Sequence, residues 1–285
     1  MRTFCVFLIG FFQMYVEAQP RVLICTHSFN RPDFIEIQYK TFQRFLHDDY
    51  EFVVFNDAPQ ESTAETIRNV CEALGIRHIR IPQTIHSKPY LERLPGEDYN
   101  HPCIRCANVV QYSLDTLGFG HEGIFAIIDS DMFLIRDFSV SKVMQDIDLM
   151  AVGQSSHHVR YIWNGLVFFN METLPDKEAI NFNCGRVDGV PCDVGGYTAY
   201  YLMAHPYIKT KFIAAHHIKE DQVMTDREAA DSNLRFLLEH KPHNVEFLLD
   251  YSFFHYRGGG NWDYKSAEYH KNKTSILRSF IDRLL

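Results

Sequence analysis

Residues 124–135 read IFAIIDSDMFLI: five apolar residues run into Asp129, Ser130 and Asp131, and four more follow at once. An apolar run this rich in β-branched and aromatic side chains fits a strand buried on both faces better than one stripe of a surface helix. Two carboxylates at the end of such a strand are costly unless a counter-charge compensates them, and a divalent cation does so most cheaply. Oxygen ligands select hard ions, so Mn2+ or Mg2+ is expected, with coordination positions left for substrate phosphates. The plainer alternative is a strand-end turn whose acids face water.

The residues before this stretch give it a frame. Residues 21–26 (RVLICT) predict a strand ending in a polar loop, HSFNRP, whose proline opens a helix. Apolar residues over 34–46 recur at helical spacing, residues 52–55 (FVVF) predict a second strand, and 64–74 a helix stopped by Gly75. An alternating third strand over 76–81 completes β-α-β-α-β, the pattern of a parallel sheet with helices on its faces. An irregular loop over 82–102 with four prolines follows, then a helix over 104–117 closed by Gly118 and Gly120. Further on, strands are expected at 149–152, 161–170, 245–249 and from 253, with helices at 197–204, 233–238 and 275–285 and a Gly- and Cys-rich loop over 181–196. No linker divides the chain, so it reads as one α/β domain.

A formal charge of −8 and the lack of a basic run argue against a nucleic-acid partner. The N-terminus differs from the rest. Arg2 precedes FCVFLIGFF, and Val16 and Ala18 supply the small residues of a cleavage site. This predicts a signal peptide over 1–18 and a mature domain over 19–285, working in the secretory pathway or exported. The apolar run is short for a stable membrane span. If translation starts at Met14, the protein is cytoplasmic instead. Export permits disulfides, and Cys184 with Cys192 is the local pair expected; Cys103-x-x-Cys106 has no second such pair to complete a zinc site. Asn272-Lys273-Thr274 is a glycosylation sequon.

Ligands of an open parallel sheet bind at the carboxyl ends of its strands. Three polar clusters fall there: Thr26 to Asn30, Asn56-Asp57, and Asp129-Ser130-Asp131. No glycine-rich phosphate loop follows the first strand, so a metal must neutralise the pyrophosphate of any nucleotide. This order of strand, acid at the second strand end and later D-x-D resembles the GT-A class of nucleotide-sugar glycosyltransferases, over about residues 21–262. The resemblance implies a Rossmann-like GT-A domain with a central, mostly parallel sheet and helices on both faces. It implies metal ligation by Asp129, Asp131 and the late His255, base reading by Asp57, and donor contacts from Thr26 and from Arg105 and Asn108 on the helix before the metal strand. Asn164 and Gly165, in WNGLVFFN, would line the donor sugar; Arg257 and Gly258, in HYRGGGNW, would surround the diphosphate.

Each assignment has a plainer counterpart. Asp57 is also a turn former, Asn164-Gly165 a β-bulge, His255 a structural histidine and Arg105 a solvated helix residue. An inverting enzyme needs a carboxylate to deprotonate the acceptor. Asp193, beside Gly195 and Gly196, is the candidate base, or else the cap of the next helix. The function implied is metal-dependent transfer of a hexose or similar sugar from a UDP- or GDP-sugar to a glycan or protein hydroxyl. The alternatives are a haloacid-dehalogenase-like phosphatase with Asp129 as nucleophile, or a non-catalytic nucleotide-sugar-binding protein.

Overall fold

The computed structural model describes residues 21–86, 102–218, 223–240, 244–260 and 266–285. The expected leader, most of the proline-rich loop and Trp262 lie outside them. The chain begins with β1 (Val22–Ser28), α1 (Pro32–Phe45), β2 (Tyr50–Asn56), α2 (Glu61–Leu74) and β3 (Arg77–Arg80), followed by α3 (Pro102–Ser113), β4 (Ile124–Ile128), β5 (Met132–Leu134) and α4 (Val140–Val143). The second half contains β6 (Leu149–Ser156), β7 (Val159–Asn170), β8 (Gly185–Val187), β9 (Val190–Cys192), α5 (Thr198–Ala204), β10 (Thr210–Ile213) and β11 (Ala215–His217). It closes with α6 (Asp226–Ala230), α7 (Ser232–Glu239), β12 (Glu246–Leu248), β13 (Phe253–His255) and α8 (Ala267–Leu284).

Seven strands form the main sheet in the order β10-β6-β7-β4-β1-β2-β3. Only β7 runs against the others, so the sheet is mostly parallel as expected. Strand alternation explains the layers. Val22 and Ile24 of β1 join Ile35 and Phe42 of α1 and Ile67 of α2 in one core. Leu23 and Cys25 join Val109 and Val110 of α3 in the core on the other face. Helices therefore cover both faces, and every residue of β1 but His27 is buried. Pro32 sits in the first turn of α1, and Gly75 ends α2 in the left-handed conformation (φ 68°) that a residue with a Cβ adopts reluctantly.

Two expectations are corrected, and one element lies beyond them. The strand before Asp129 is β4 of the main sheet, as expected, while the apolar residues after Asp131 form β5 of a second, antiparallel sheet of order β11-β12-β13-β5. The D-S-D segment is the crossing between them. The fully buried Gln38 of α1 fixes it, donating from Nε2 to the carbonyls of Asp129 (2.8 Å) and Met132 (2.9 Å), while Met132 N–H donates back to Asp129 O. Residues 181–196 contain the β8–β9 hairpin rather than only loop. The last helix starts at Ala267, because Ser266 caps it and His270, Lys273 and Leu277 continue its buried face.

The expected Cys184–Cys192 disulfide is not formed; all six described cysteines are thiols, and it is Gly185 that lies opposite Cys192 in the hairpin. The sequon falls on α8, where Thr274 Oγ1 accepts from Arg31 and touches the Tyr256 hydroxyl. No helix among the described residues is long and apolar enough to cross a membrane.

Candidate metal centre

Backbone pairing brings together acids and an imidazole that lie far apart in sequence. β13 runs antiparallel to β5 with His255 opposite Met132, and Tyr256 N–H donates to Asp131 O at 2.9 Å. His255 Nε2 therefore sits 3.2 Å from Asp131 Oδ1. On the other side, Asp129 N–H donates to Gly165 O, extending the β4–β7 ladder to the edge of the crossing. Asp129, Asp131 and His255 each offer a ligand atom, all within 4.8 Å of one another. Asp131 and His255 are buried and Asp129 is half-buried.

Several groups hold Asp131 in place. Gly259 N–H donates to its Oδ2 at 2.7 Å. The carbonyl of Gly259 accepts from Arg31 Nη1 at 3.1 Å, and Asn30 Nδ2 binds Gly260 O at 3.0 Å. The loop after β13 is thereby tied to the loop after β1, which is how the first strand end joins the site. Arg31 also forms a fork–fork pair with Asp33 at 2.8 Å and lies 3.5 Å over the Phe34 ring.

The three groups perturb one another. Burial, followed by the charge of Asp131, pushes the Asp129 carboxyl up to about 7 despite the pull of His255. Burial would raise Asp131 too, but His255, the Gly259 N–H and Lys273 hold it below its ordinary value. Burial would lower His255, yet its carboxylate partners Asp131 and Glu246 override this and push it up to about 9. Two carboxylates and one imidazole suit Mn2+ well and Mg2+ less closely, since the nitrogen ligand is the softer donor.

The residues expected to meet the base form a separate buried network. Asp57 accepts from Arg105 Nε (2.7 Å) and Nη2 (2.9 Å), and His86 Nε2 lies 2.8 Å from its Oδ1. Arg105 Nη2 also reaches Asp57 O and Gln83 Oε1, and Asn108 Nδ2 donates to Ile85 O. Arg105 is thus not a solvated helix residue, and the Asp57 carboxylate is engaged within the protein. Removing one partner of a buried ion pair strands the other, so Asp57→Ala is expected to cost about 3–5 kcal/mol in urea unfolding. Asp57→Ala combined with Arg105→Met should cost less than the two single changes summed.

The other expected residues are distributed around these two centres. Thr26 is fully buried in β1, its Oγ1 without a hydrogen-bond partner among the described residues. Asn164 and Gly165 lie where the β6–β7 register shifts, so the β-bulge is real. The bulge turns Asn164 towards α3, where Nδ2 contacts Cys106 Sγ at 3.3 Å. Trp163 folds over Gly165, so closely that a Cβ there would fall 2.0 Å from the indole, and its ring centroid is 5.3 Å from that of His255.

Arg257 takes a left-handed backbone (φ 58°), with Nη1 3.2 Å from His217 Nδ1 and 3.8 Å from Glu246. Gly258 follows at φ 72° with open space around it. Asp193 is exposed and does not cap α5, whose cap position is Tyr197. Its Oδ1 accepts from Val194 N–H, and the Cys103 thiol bonds to its side chain. Burial raises the Cys106 pKa, and the charges of Asp129, Asp193, Cys103 and Asp57 add to it.

Gln38, Glu246 and Gly259 were not singled out by the sequence. Only the glycine run carried a signal, and it pointed one residue early.

No protein-family model matches the chain, and no curated protein does. Among solved structures it is similar to the mannosyltransferase PcManGT from Pyrobaculum calidifontis in complex with GDP-Man and Mn2+, over 93% of this chain and 70% of that one, at 13% identity and a TM-score of 0.42. It is also similar to the galactosyltransferase LgtC in complex with donor and acceptor sugar analogs (55% of this chain, 62% of that one, 15% identity, TM-score 0.38). A third is S. aureus TarS 1-349 (57% and 50%, 11% identity, TM-score 0.32). These overall likenesses are loose, and the weight falls on the site's own geometry.

Proposed function

We propose that the chain is a metal-dependent glycosyltransferase of GT-A type, moving a sugar from a nucleoside-diphosphate donor to a carbohydrate or protein hydroxyl. The observation that carries this reading is the Asp129–Asp131–His255 cluster at the carboxyl edge of a mostly parallel sheet, with ligand atoms within 4.8 Å of one another. A cation held there supplies electrostatic stabilisation to a departing diphosphate. The chain's own residues do the rest. Asp131, fixed by Gly259, and His255 hold one side of the site, and Asp129 the other. Arg257 adds positive charge beside His255. Asn164 and Gly165 form the wall next to Asp129, where a donor sugar would lie. Asp193, exposed and joined through the thiols of α3 to the same region, is the candidate base for an acceptor hydroxyl.

Thermal-shift titration tests the reading. Mn2+ with UDP or GDP is expected to raise the melting temperature by several degrees, with either component alone doing much less, since only the folded state binds the pair. No shift with any nucleoside diphosphate in Mn2+ sinks it. Shift without donor turnover in the presence of glycan acceptors favours the non-catalytic binding protein. We further propose a secretory compartment, to be checked by sequencing the mature N-terminus for Gln19.

A further inference from the structure

Glu246 is 5% exposed, and no step of the reading above uses it. It lies directly opposite His255 in the β12–β13 ladder, and His255 lies opposite Met132 in the β13–β5 ladder. Partners in an antiparallel register point to the same face, so three adjacent strands set Glu246, His255 and the Asp131 end of β5 in a row. Glu246 Oε1 is 2.7 Å from His255 Nδ1, while His255 Nε2 faces Asp131. The other carboxylate oxygen, Oε2, is turned towards His217 Nδ1 (2.6 Å, without hydrogen-bond alignment) and Arg257 Nη1 (3.8 Å). Glu246 thus does not reach the metal cluster; it touches only the far side of its imidazole. Which ring nitrogen of a histidine binds a metal is set by the bond the other nitrogen makes.

We infer that Glu246 is a positioning residue: it binds the Nδ1–H of His255, fixing ring orientation and tautomer so that Nε2 is presented to the cation. The inference rests on the metal-centre reading above. Replacing a whole buried pair by apolar residues of similar volume is often neutral for stability, so stability alone does not call for a carboxylate and an imidazole at this place. Its bond to one ligand nitrogen gives it a reason to be there.

The test uses the full chain as wild type, Glu246→Ala, Glu246→Gln and Glu246→Met. Mn2+ affinity is read from free-ion electron paramagnetic resonance, and the His255 tautomer from imidazole 15N correlation spectra with Mg2+. Loss of a partner behind a ligating histidine weakens metal binding about 10–100-fold, and that is expected of Glu246→Ala, together with loss of the single Nδ1–H tautomer. Gln retains an accepting oxygen and should keep the tautomer, whereas Glu246→Met, which fills a similar volume with no accepting oxygen, should lose it and bind Mn2+ about 10–100-fold more weakly, a split that a purely space-filling role would not produce.

Wild-type affinity and an unchanged tautomer in Glu246→Ala overturn the inference and leave the metal centre standing. If Glu246→Ala does not fold, wild-type affinity and an unchanged tautomer in Glu246→Met overturn it. A wild type that binds no Mn2+ overturns the metal-centre reading itself.

Discussion

In metal-free buffer, Asp129→Asn is expected to be more stable than the wild type, and at the same time to have lost its affinity for Mn2+. Burial and the neighbouring charge of Asp131 raise the Asp129 carboxyl from 3.8 to about 7. Between those values the folded state binds a proton that the unfolded state does not, so stability falls as pH climbs from 4 to 7. At about 1.4 kcal/mol per unit, discounted because the group is half-buried, the charged Asp129 destabilises the metal-free fold by about 2–4 kcal/mol at neutral pH.

His255 adds to the trend at higher pH. Its folded value of about 9 lies above the ordinary 6.5, so its contribution is complete below 6.5 and lost as pH rises towards 9. In EDTA the difference in melting between wild type and Asp129→Asn should therefore grow from pH 4 to 7, a comparison that cancels the opposite slope of His27, pushed down to about 4 by burial, in both proteins. Saturating Mn2+ should oppose the decline in the wild type only, because the cation competes with protons for the same atoms. An Asp129→Asn protein that is less stable in EDTA, or that still gains stability from Mn2+, would show that Asp129 is a solvated turn residue.

Local patterns in the sequence were enough to read the first half of the fold. The helical spacing of Phe34, Ile35, Ile37, Phe42 and Phe45 and the stop at Gly75 are short-range signals, and the structure follows them. The apolar run around Asp129 was harder. Periodicity reports burial but not sheet membership, so nothing in the apolar residues after Asp131 showed that they form β5 of a second sheet, entered where Gln38, held on α1, turns the chain.

Long-range pairing was hidden for the same reason. Asp57 and Arg105 were both assigned to a donor, yet each is the other's main partner across 48 positions of sequence. Their mutual distance was not readable from the sequence. His255 could be picked out only because glycines follow it. Glu246 had no such neighbour, since its relation to His255 exists only in the antiparallel register of β12 and β13. Asp193 shows the reverse case. Its sequence context suits a cap, but the helix begins after Tyr197, which leaves the carboxylate exposed and available.

Gly259→Ala is the second large effect expected, and it concerns the glycine next to the one the sequence suggested. A Cβ at Gly259 would lie 2.5 Å from Phe34 Cε2 and 2.7 Å from Asp131 Cβ. Neither neighbour has room to withdraw. Phe34 is fully buried, with Phe133 and Tyr256 each 5.2 Å away edge-on and the Arg31 guanidinium over its face. Asp131 is held by its own strand pairing and by the carboxylate bond that Gly259 itself donates. The loop must therefore move, which breaks the Gly259 N–H bond to Asp131 Oδ2 and the Arg31 bond to Gly259 O.

Overpacking of about 1–3 kcal/mol and loss of a hydrogen bond to a buried charge of about 1.5–3 kcal/mol add up to a severe change for one methyl group. Mn2+ affinity should fall by about 10–100-fold, as for other losses behind a ligand. Gly120→Ala is the control: a Cβ there meets nothing within 4 Å, and its urea midpoint should stay within about 0.5 kcal/mol of wild type. If Gly259→Ala matches the control in both unfolding and Mn2+ titration, then the loop after β13 does not hold Asp131, and the close approach of glycine to carboxylate has no part in building the site.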